Sequence, residues 1–202
     1  FHFEKKDICK LNHNHKFFLK CDYLFHFAGV GDIVPSIENP VKYLNSNVLG
    51  TAKMLYAAKQ ASIKKFIYAA SSSCYGLAKT PTSEKHKIEP LYPYAMSKYL
   101  GEKLCLHWQE LYNLPVNSVR IFNAYGPRVK TTGVYGAVFG VFFKQKLENK
   151  PFTIVGDGSQ KRDFTYVTDV VDAFYRASQT KISRQIFNLG TGRPNSINDL
   201  VK

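Results

Sequence analysis

Tyr94 and Lys98 stand four residues apart in Tyr94-Ala95-Met96-Ser97-Lys98, a stretch that reads as helix as far as Leu111. A helical turn takes about 3.6 residues, so the phenol and the ammonium leave the same face. A nearby ammonium favours the phenolate and lowers a tyrosine pKa from its usual value of about 10. A tyrosine tuned in this way takes up and returns a proton near neutral pH. Taken alone, the same spacing more often means a packed tyrosine beside a solvated lysine. The surrounding elements have to decide.

Those elements alternate. Tyr23 to Phe27 is a compact apolar run that ends at Ala28-Gly29 and reads as a buried strand entering a turn. Val41 to Ala61 carries apolar residues at helical spacing. Lys65 to Ala70 is a second buried strand, ending in Ser71-Ser72-Ser73, and Pro115 to Phe122 is a third, ending at Asn123. Further helices are expected over Val134 to Leu147 and Val167 to Ser178, and further strands over Phe152 to Val155 and Ile186 to Leu189. Ser196 is a candidate cap for a last helix. Alternating short apolar strands and helices imply an α/β fold, a Rossmann-like doubly wound parallel sheet. Ligands of such sheets bind outside the carboxyl ends of the strands. Ala28-Gly29, Ser71 to Ser73 and Asn123 all fall at such ends, so they are expected to converge.

Composition narrows the class. The 202 residues are 45% hydrophobic and 21% charged, as in an ordinary globular protein. The net charge of +13 favours anionic ligands, but the lysines are scattered rather than grouped in a nucleic-acid-binding block. No apolar run is long enough to span a bilayer, so neither nucleic acid nor a membrane is an expected partner. Cys9, Cys21, Cys74 and Cys105 form no C-x-x-C pair, which fits reduced thiols in a cytoplasmic protein. His13 and His15 lie in a polar loop with nothing to complete a metal-ligand set.

Five segments occur in a telling order: Ser71-Ser72-Ser73-Cys74-Tyr75-Gly76; Tyr94 to Lys98; Arg120-Ile121-Phe122-Asn123-Ala124-Tyr125-Gly126-Pro127-Arg128; Gly156-Asp157-Gly158-Ser159-Gln160-Lys161-Arg162-Asp163-Phe164; and Phe187-Asn188-Leu189-Gly190-Thr191-Gly192. Together they resemble the extended short-chain dehydrogenase/reductases, and within them the NAD-dependent sugar-nucleotide epimerases and dehydratases. The resemblance covers nearly the whole chain. It implies that Tyr94 is the catalytic acid/base, that Lys98 lowers its pKa and bonds the nicotinamide ribose, and that Ser71 bonds the reacting hydroxyl. It implies a sugar pocket lined by Ser72 and Ser73, and a place for Asn47 near the cofactor. Ala28 and Gly29 match the turn that passes the dinucleotide, and Asp7 and Ile8 the pair that contacts adenine. Asn123 and Arg162 match residues that bond the substrate diphosphate, a role suited to the planar guanidinium fork. Their plainer readings are a turn cap for Asn123 and a surface ion pair with Asp163 for Arg162. The stretch Val134 to Phe143 is expected either to wall the substrate side or to belong to the core.

Two departures from the family pattern shape the expected reaction. The dehydratases and decarboxylases carry an acidic residue just after the catalytic Ser/Thr position, where Ser72 and Ser73 stand here. Three serines resemble the 4-epimerases, so the expected reaction is epimerisation at C4 of a UDP- or dTDP-hexose, N-acetylhexosamine or uronic acid through a 4-keto sugar. A 4,6-dehydratase, a 4-reductase, and an inert fragment or Rossmann-like binding module are the rivals. Secondly, the family's G-x-x-G-x-x-G phosphate loop is absent, and Ala28 to Gly31 follows a later strand. A strand, helix and strand are therefore expected to precede Phe1, in an enzyme that is a homodimer at full length. Residues 1–130 are expected to form the incomplete NAD-binding domain. Residues 131–202 are expected to begin the substrate region and return to the core.

Overall fold

The computed structural model describes residues 1–129, 131 and 138–202. They fall into two compact units, Phe1–Arg120 with Phe174–Asn188, and Ile121–Ala173 with Leu189–Lys202.

The first unit is built on a parallel sheet in the order β1 (Tyr23–His26), β2 (Lys65–Ser71), β3 (Val116–Ile121), β6 (Gln185–Leu189). β1 and β2 run in register from Tyr23 opposite Lys65 to His26 opposite Tyr68. β2 is buried without alternation from Lys65 to Ala70, as expected of an inner parallel strand covered on both faces. β1 is an edge strand among the described residues, and its Tyr23 and Phe25 remain 40% and 41% exposed. The core gathers Leu55, Ala58, Phe66, Tyr68, Cys105 and Val116 between β2 and the helices α3 (Gly50–Gln60) and α4 (Pro93–Tyr112).

The helix expected over Val41 to Ala61 is not continuous. A short α1 (Val34–Glu38) leads to α2 (Pro40–Leu44), whose Lys42 N–H is capped by the Asn39 side chain and whose Pro40 has φ pre-set for the first turn. Asn45–Leu49 then forms a π-turn, the Gly50 N–H reaching back to the Asn45 carbonyl, before α3 begins. The buried Asn47 sits in this turn. α4 matches its expected span, opens on Pro93 and ends at Asn113 in the left-handed conformation, φ 54°.

The second unit carries β4 (Asn123–Tyr125), β5 (Lys161–Tyr166) and β7 (Pro194–Ser196) as a mixed sheet, with α5 (Val138–Leu147). β4 pairs with β5 in parallel and β7 with β5 antiparallel. Tyr125, Phe139, Phe164 and Tyr166 pack together, Tyr125 stacking on Phe139 at 4.5 Å between centroids. The strand expected over Phe152 to Val155 does not form. Instead the Thr153 N–H donates to Gln145 Oε1, and Gln145 Nε2 to Thr153 Oγ1, so a helix side chain meets the needs of that backbone. α6 (Val167–Gln179) and α7 (Ile197–Leu200) complete the elements. Ser196 caps α7 as expected, in a reciprocal capping box with Asp199. Of the expected helix over Val134 to Leu147, the part before Val138, with Tyr135, lies outside the described residues. No helix among the described residues is long and apolar enough to cross a membrane, and no group of His, Cys, Asp and Glu there could hold a metal ion.

Candidate active site

The carboxyl end of β2 and the first turn of α4 bring Ser71 and Tyr94 together, close enough for the serine side chain to act on the phenol. Past Ser71 the chain tightens into a 3-10 turn, Ser72–Tyr75. Ser71 Oγ accepts the Ser73 N–H at 3.2 Å and shares a hydrogen bond with Ser73 Oγ at 2.8 Å. The turn closes on Gly76, which has φ 62° and stands so close to Glu89 that a Cβ would lie 2.3 Å from the Glu89 carbonyl oxygen. A glycine is required on both counts. Ser72 and Ser73 are half-buried beside Ser71.

One turn along α4 from Tyr94, Lys98 is 7% exposed. Its ammonium lies 4.6 Å over the centre of the Tyr68 ring, a contact the ring quadrupole favours. Burial pulls its pKa down to about 8, against the upward pull of Cys105 and Glu102. The Tyr94 phenol moves the other way from the sequence expectation. Burial raises its pKa, the nearby Ser71 side chain opposes the rise, and the charge of Asp32 adds to it. Desolvation of a half-buried phenol thus outweighs the help expected from Lys98, whose ammonium is directed at Tyr68.

Asn47 organises the other wall. Its Oδ1 accepts the Val30 N–H at 2.7 Å, and its Nδ2 donates to the Val30 carbonyl at 3.0 Å and to Ser97 Oγ at 2.9 Å. Ser97 in turn donates to the Tyr94 carbonyl at 2.8 Å. The Asn47 amide is therefore engaged within the protein, and it ties the turn after β1 to the helix that carries Tyr94 and Lys98. Gly29 lies on that turn, where a Cβ would stand 2.8 Å from Asn47 Oδ1 and 3.9 Å from Lys98 Nζ. The Thr51 hydroxyl donates to the Asn47 carbonyl at 2.7 Å, which leaves its oxygen to accept from Nε2 of the buried His26 at 2.9 Å. Burial pushes the His26 pKa down to about 3, so the ring is neutral.

Asp7 accepts the Cys9 N–H at 2.9 Å in a local turn, and Ile8 packs on Gly50 at the start of α3. In the second unit, Asn123 Nδ2 donates to the Asp163 carbonyl at 3.0 Å, and the exposed Arg162 donates to the Lys161 carbonyl at 2.8 Å. Asp163 does not form the ion pair considered for Arg162. Its carboxylate accepts the Thr191 and Gly192 N–H groups at 2.8 and 2.7 Å and so holds the Gly190–Gly192 turn. Sequence reasoning missed Ser97, Tyr43, which meets the Tyr94 ring edge-on, and the buried Glu102–Arg120 pair. A lone arginine inside the apolar strand Val119-Arg120-Ile121 was the available signal.

The family model described as the NAD dependent epimerase/dehydratase family matches residues 1–190. A putative UDP-glucose 4-epimerase of Methanocaldococcus jannaschii is 37% identical over 185 residues, 91% of this chain and 60% of that protein. A UDP-N-acetyl-alpha-D-glucosaminuronate decarboxylase of Bacillus cytotoxicus is 35% identical over 199 residues, 95% of this chain and 60% of that protein. Among solved structures, the UDP-N-acetylglucosamine 4-epimerase from Methanobrevibacter ruminantium M1, in complex with UDP-N-acetylmuramic acid, has a TM-score of 0.93 at 31% identity. That match covers 98% of this chain and 63% of the other. The chain spans about 60% of the length of the curated relatives it matches.

Proposed function

Since the chain belongs to the NAD-dependent epimerase/dehydratase family, we propose that the whole protein inverts C4 of a UDP-linked hexose, N-acetylhexosamine or uronic acid through a 4-keto sugar. The observation that carries this reading is the approach of Ser71 to Tyr94, with Lys98 one turn further along α4 and serines at positions 72 and 73.

The residues present suit a dinucleotide. Gly29 lets the turn after β1 pass directly against Asn47 Oδ1, where a side chain would clash, and the Lys98 ammonium lies beside that turn. Ala28, Gly29 and Lys98 would hold NAD, with Asp7 and Ile8 at its adenine end. When bound, NAD supplies a two-electron acceptor that takes hydride from C4 and gives it back.

Tyr94 takes the proton of the C4 hydroxyl as the C4–H bond breaks, and Ser71 holds that oxygen through its hydroxyl. The same proton returns from Tyr94 when hydride is delivered to the opposite face of C4, so the net reaction consumes nothing. Lys98 carries positive charge below its pKa of about 8 and would bond the nicotinamide ribose of NAD. Ser72 and Ser73 line the sugar side, and Asn123 and Arg162 are our candidates for the diphosphate.

The decarboxylase relative frames the competing reading, but a serine hydroxyl is not a general acid near neutral pH, and serines occupy both positions after Ser71. Free thiols, with Cys74 and Cys105 buried, suit the cytoplasm, and a homodimer remains our expectation for the full-length protein. The test is product analysis with UDP-glucose, UDP-N-acetylglucosamine and UDP-glucuronate. A C4 epimer, formed without loss of water or carbon dioxide and without net NADH, supports the proposal. A deoxy, decarboxylated or reduced product refutes it.

A further inference from the structure

Arg120 is the largest fully buried side chain among the described residues, 2% exposed in mid-strand. Its guanidinium grips Glu102, itself 1% exposed, through Nε to Oε2 at 3.0 Å and Nη2 to Oε1 at 2.5 Å. Ser118 Oγ donates to the same carboxylate at 2.9 Å. On its other side Arg120 Nη1 donates to the Tyr75 hydroxyl at 2.6 Å, and the guanidinium carbon lies 4.8 Å over the Tyr75 ring. The Tyr75 hydroxyl donates onward to Asn188 Oδ1 at 2.7 Å. Asn188 accordingly bonds to the Thr82–Glu84 segment, by Nδ2 to the Thr82 carbonyl and by N–H to Glu84 Oε1.

Stability alone does not account for such a pair. Burying two charges costs solvation that their attraction repays only in good geometry, and apolar replacements of similar volume are often as stable. What a planar, bidentate fork supplies is fixed orientation.

The elements it orients are the two that meet in the site. Glu102 is on α4, eight residues after Tyr94 and four after Lys98, so all three share a face. Tyr75 ends the 3-10 turn that starts beside Ser71, and this turn aims the Ser73 N–H at Ser71 Oγ. Ser71 and Tyr94 come from separate elements, and nothing in their own short segments sets the spacing between them.

We infer that Arg120, Glu102 and Tyr75 are positioning residues for the reaction, holding the Ser71–Tyr75 turn against α4 so that Ser71 and Tyr94 keep their mutual placement. This rests on the Ser71–Tyr94 reading of the site.

Truncating Arg120 would strand a buried carboxylate and unfold the protein, so the informative variant is Tyr75→Phe, which keeps the ring on the guanidinium and removes one hydroxyl. The experiment compares the full-length parent enzyme with Tyr75→Phe, Ser71→Ala, their double variant and Tyr94→Phe, with rates normalised to folded enzyme from melting curves. The expected result for Tyr75→Phe is a kcat about tenfold lower, with KM for the UDP-sugar within about twofold; a misplacement of reacting groups is enough for such a loss. In the Ser71→Ala background the same change costs nothing further, because the group being positioned is gone. Parental kcat in Tyr75→Phe, or losses that multiply in the double variant, would overturn the positioning role while a large loss in Tyr94→Phe leaves the site reading intact. Parental turnover in Tyr94→Phe overturns both.

Discussion

Ser71, at the end of β2, stands close enough to Tyr94, in the first turn of α4, that its side chain draws the phenol pKa down against the upward push of burial. Removing the Ser71 hydroxyl therefore leaves burial less opposed. In the full-length enzyme Ser71→Ala is expected to lower kcat by about a hundredfold, the usual effect of losing one donor at the reacting oxygen. The pH–rate profile is also expected to move its basic requirement upward. A variant that lost turnover without a shift in the profile would show that Ser71 does not act on the phenol.

Lys98 is buried at the expense of stability. Its folded pKa of about 8 lies below the 10.5 of a free lysine, so the folded chain binds this proton less tightly than the unfolded one. The penalty is complete below about pH 8 and fades as pH rises towards the unfolded value. Lys98→Met is accordingly expected to be more stable than the parent at pH 7, by about 1–3 kcal/mol after the lost contact with Tyr68 is set against it, and to lose that advantage near pH 10. Urea unfolding at the two pH values measures the difference, and a variant less stable than the parent at pH 7 would contradict it.

His26 makes the fold acid-sensitive. Its pKa of about 3 lies below the 6.5 of a free imidazole, so the unfolded chain gains a proton that the folded chain refuses as pH falls. Stability from this group is complete above about pH 6.5 and lost towards pH 3, roughly 3 kcal/mol of it by pH 4. His26→Gln removes that slope. Equal pH dependence of the parent and the variant between pH 7 and pH 4 would rule out His26 as its source.

Gly101 is the close-approach point of α4. A Cβ there would lie 2.3 Å from Tyr68 Oη and 2.9 Å from the Asn47 carbonyl oxygen, and Tyr68 is buried and bonded to the Lys98 carbonyl. Neither neighbour can retreat cheaply, so Gly101→Ala is expected to cost about 1–3 kcal/mol despite the better helix propensity of alanine. The check is the unfolding midpoint, and a stabilised variant would contradict the packing described.

The sequence made some of this visible and hid the rest for physical reasons. β2 was legible because Phe66 to Ala70 are five consecutive apolar residues. Ser71, Tyr94 and Lys98 were legible because their motifs follow one another in order. β5 was not, since Lys161-Arg162-Asp163 opens it with charged side chains, two of them exposed, that resemble a loop. The interruption in the helix over Val41 to Ala61 was masked because Val41, Leu44 and Val48 keep helical spacing across Asn45–Leu49. The direction of the Tyr94 pKa could not be read from a neighbouring lysine, because it depends on how much water the fold removes.

In genetic terms, the π-turn at Asn45–Leu49 amounts to a single codon. Each helical residue turns the chain by about 100°, so a one-codon deletion at Ser46 would restore an unbroken α-helix while swinging what precedes it by that angle relative to α3. Asn47 would keep its place in the reading frame, yet the turn after β1 that it holds through Val30 would be carried out of its reach. A deletion map of this segment would therefore show an improved helix and a lost site in the same clone.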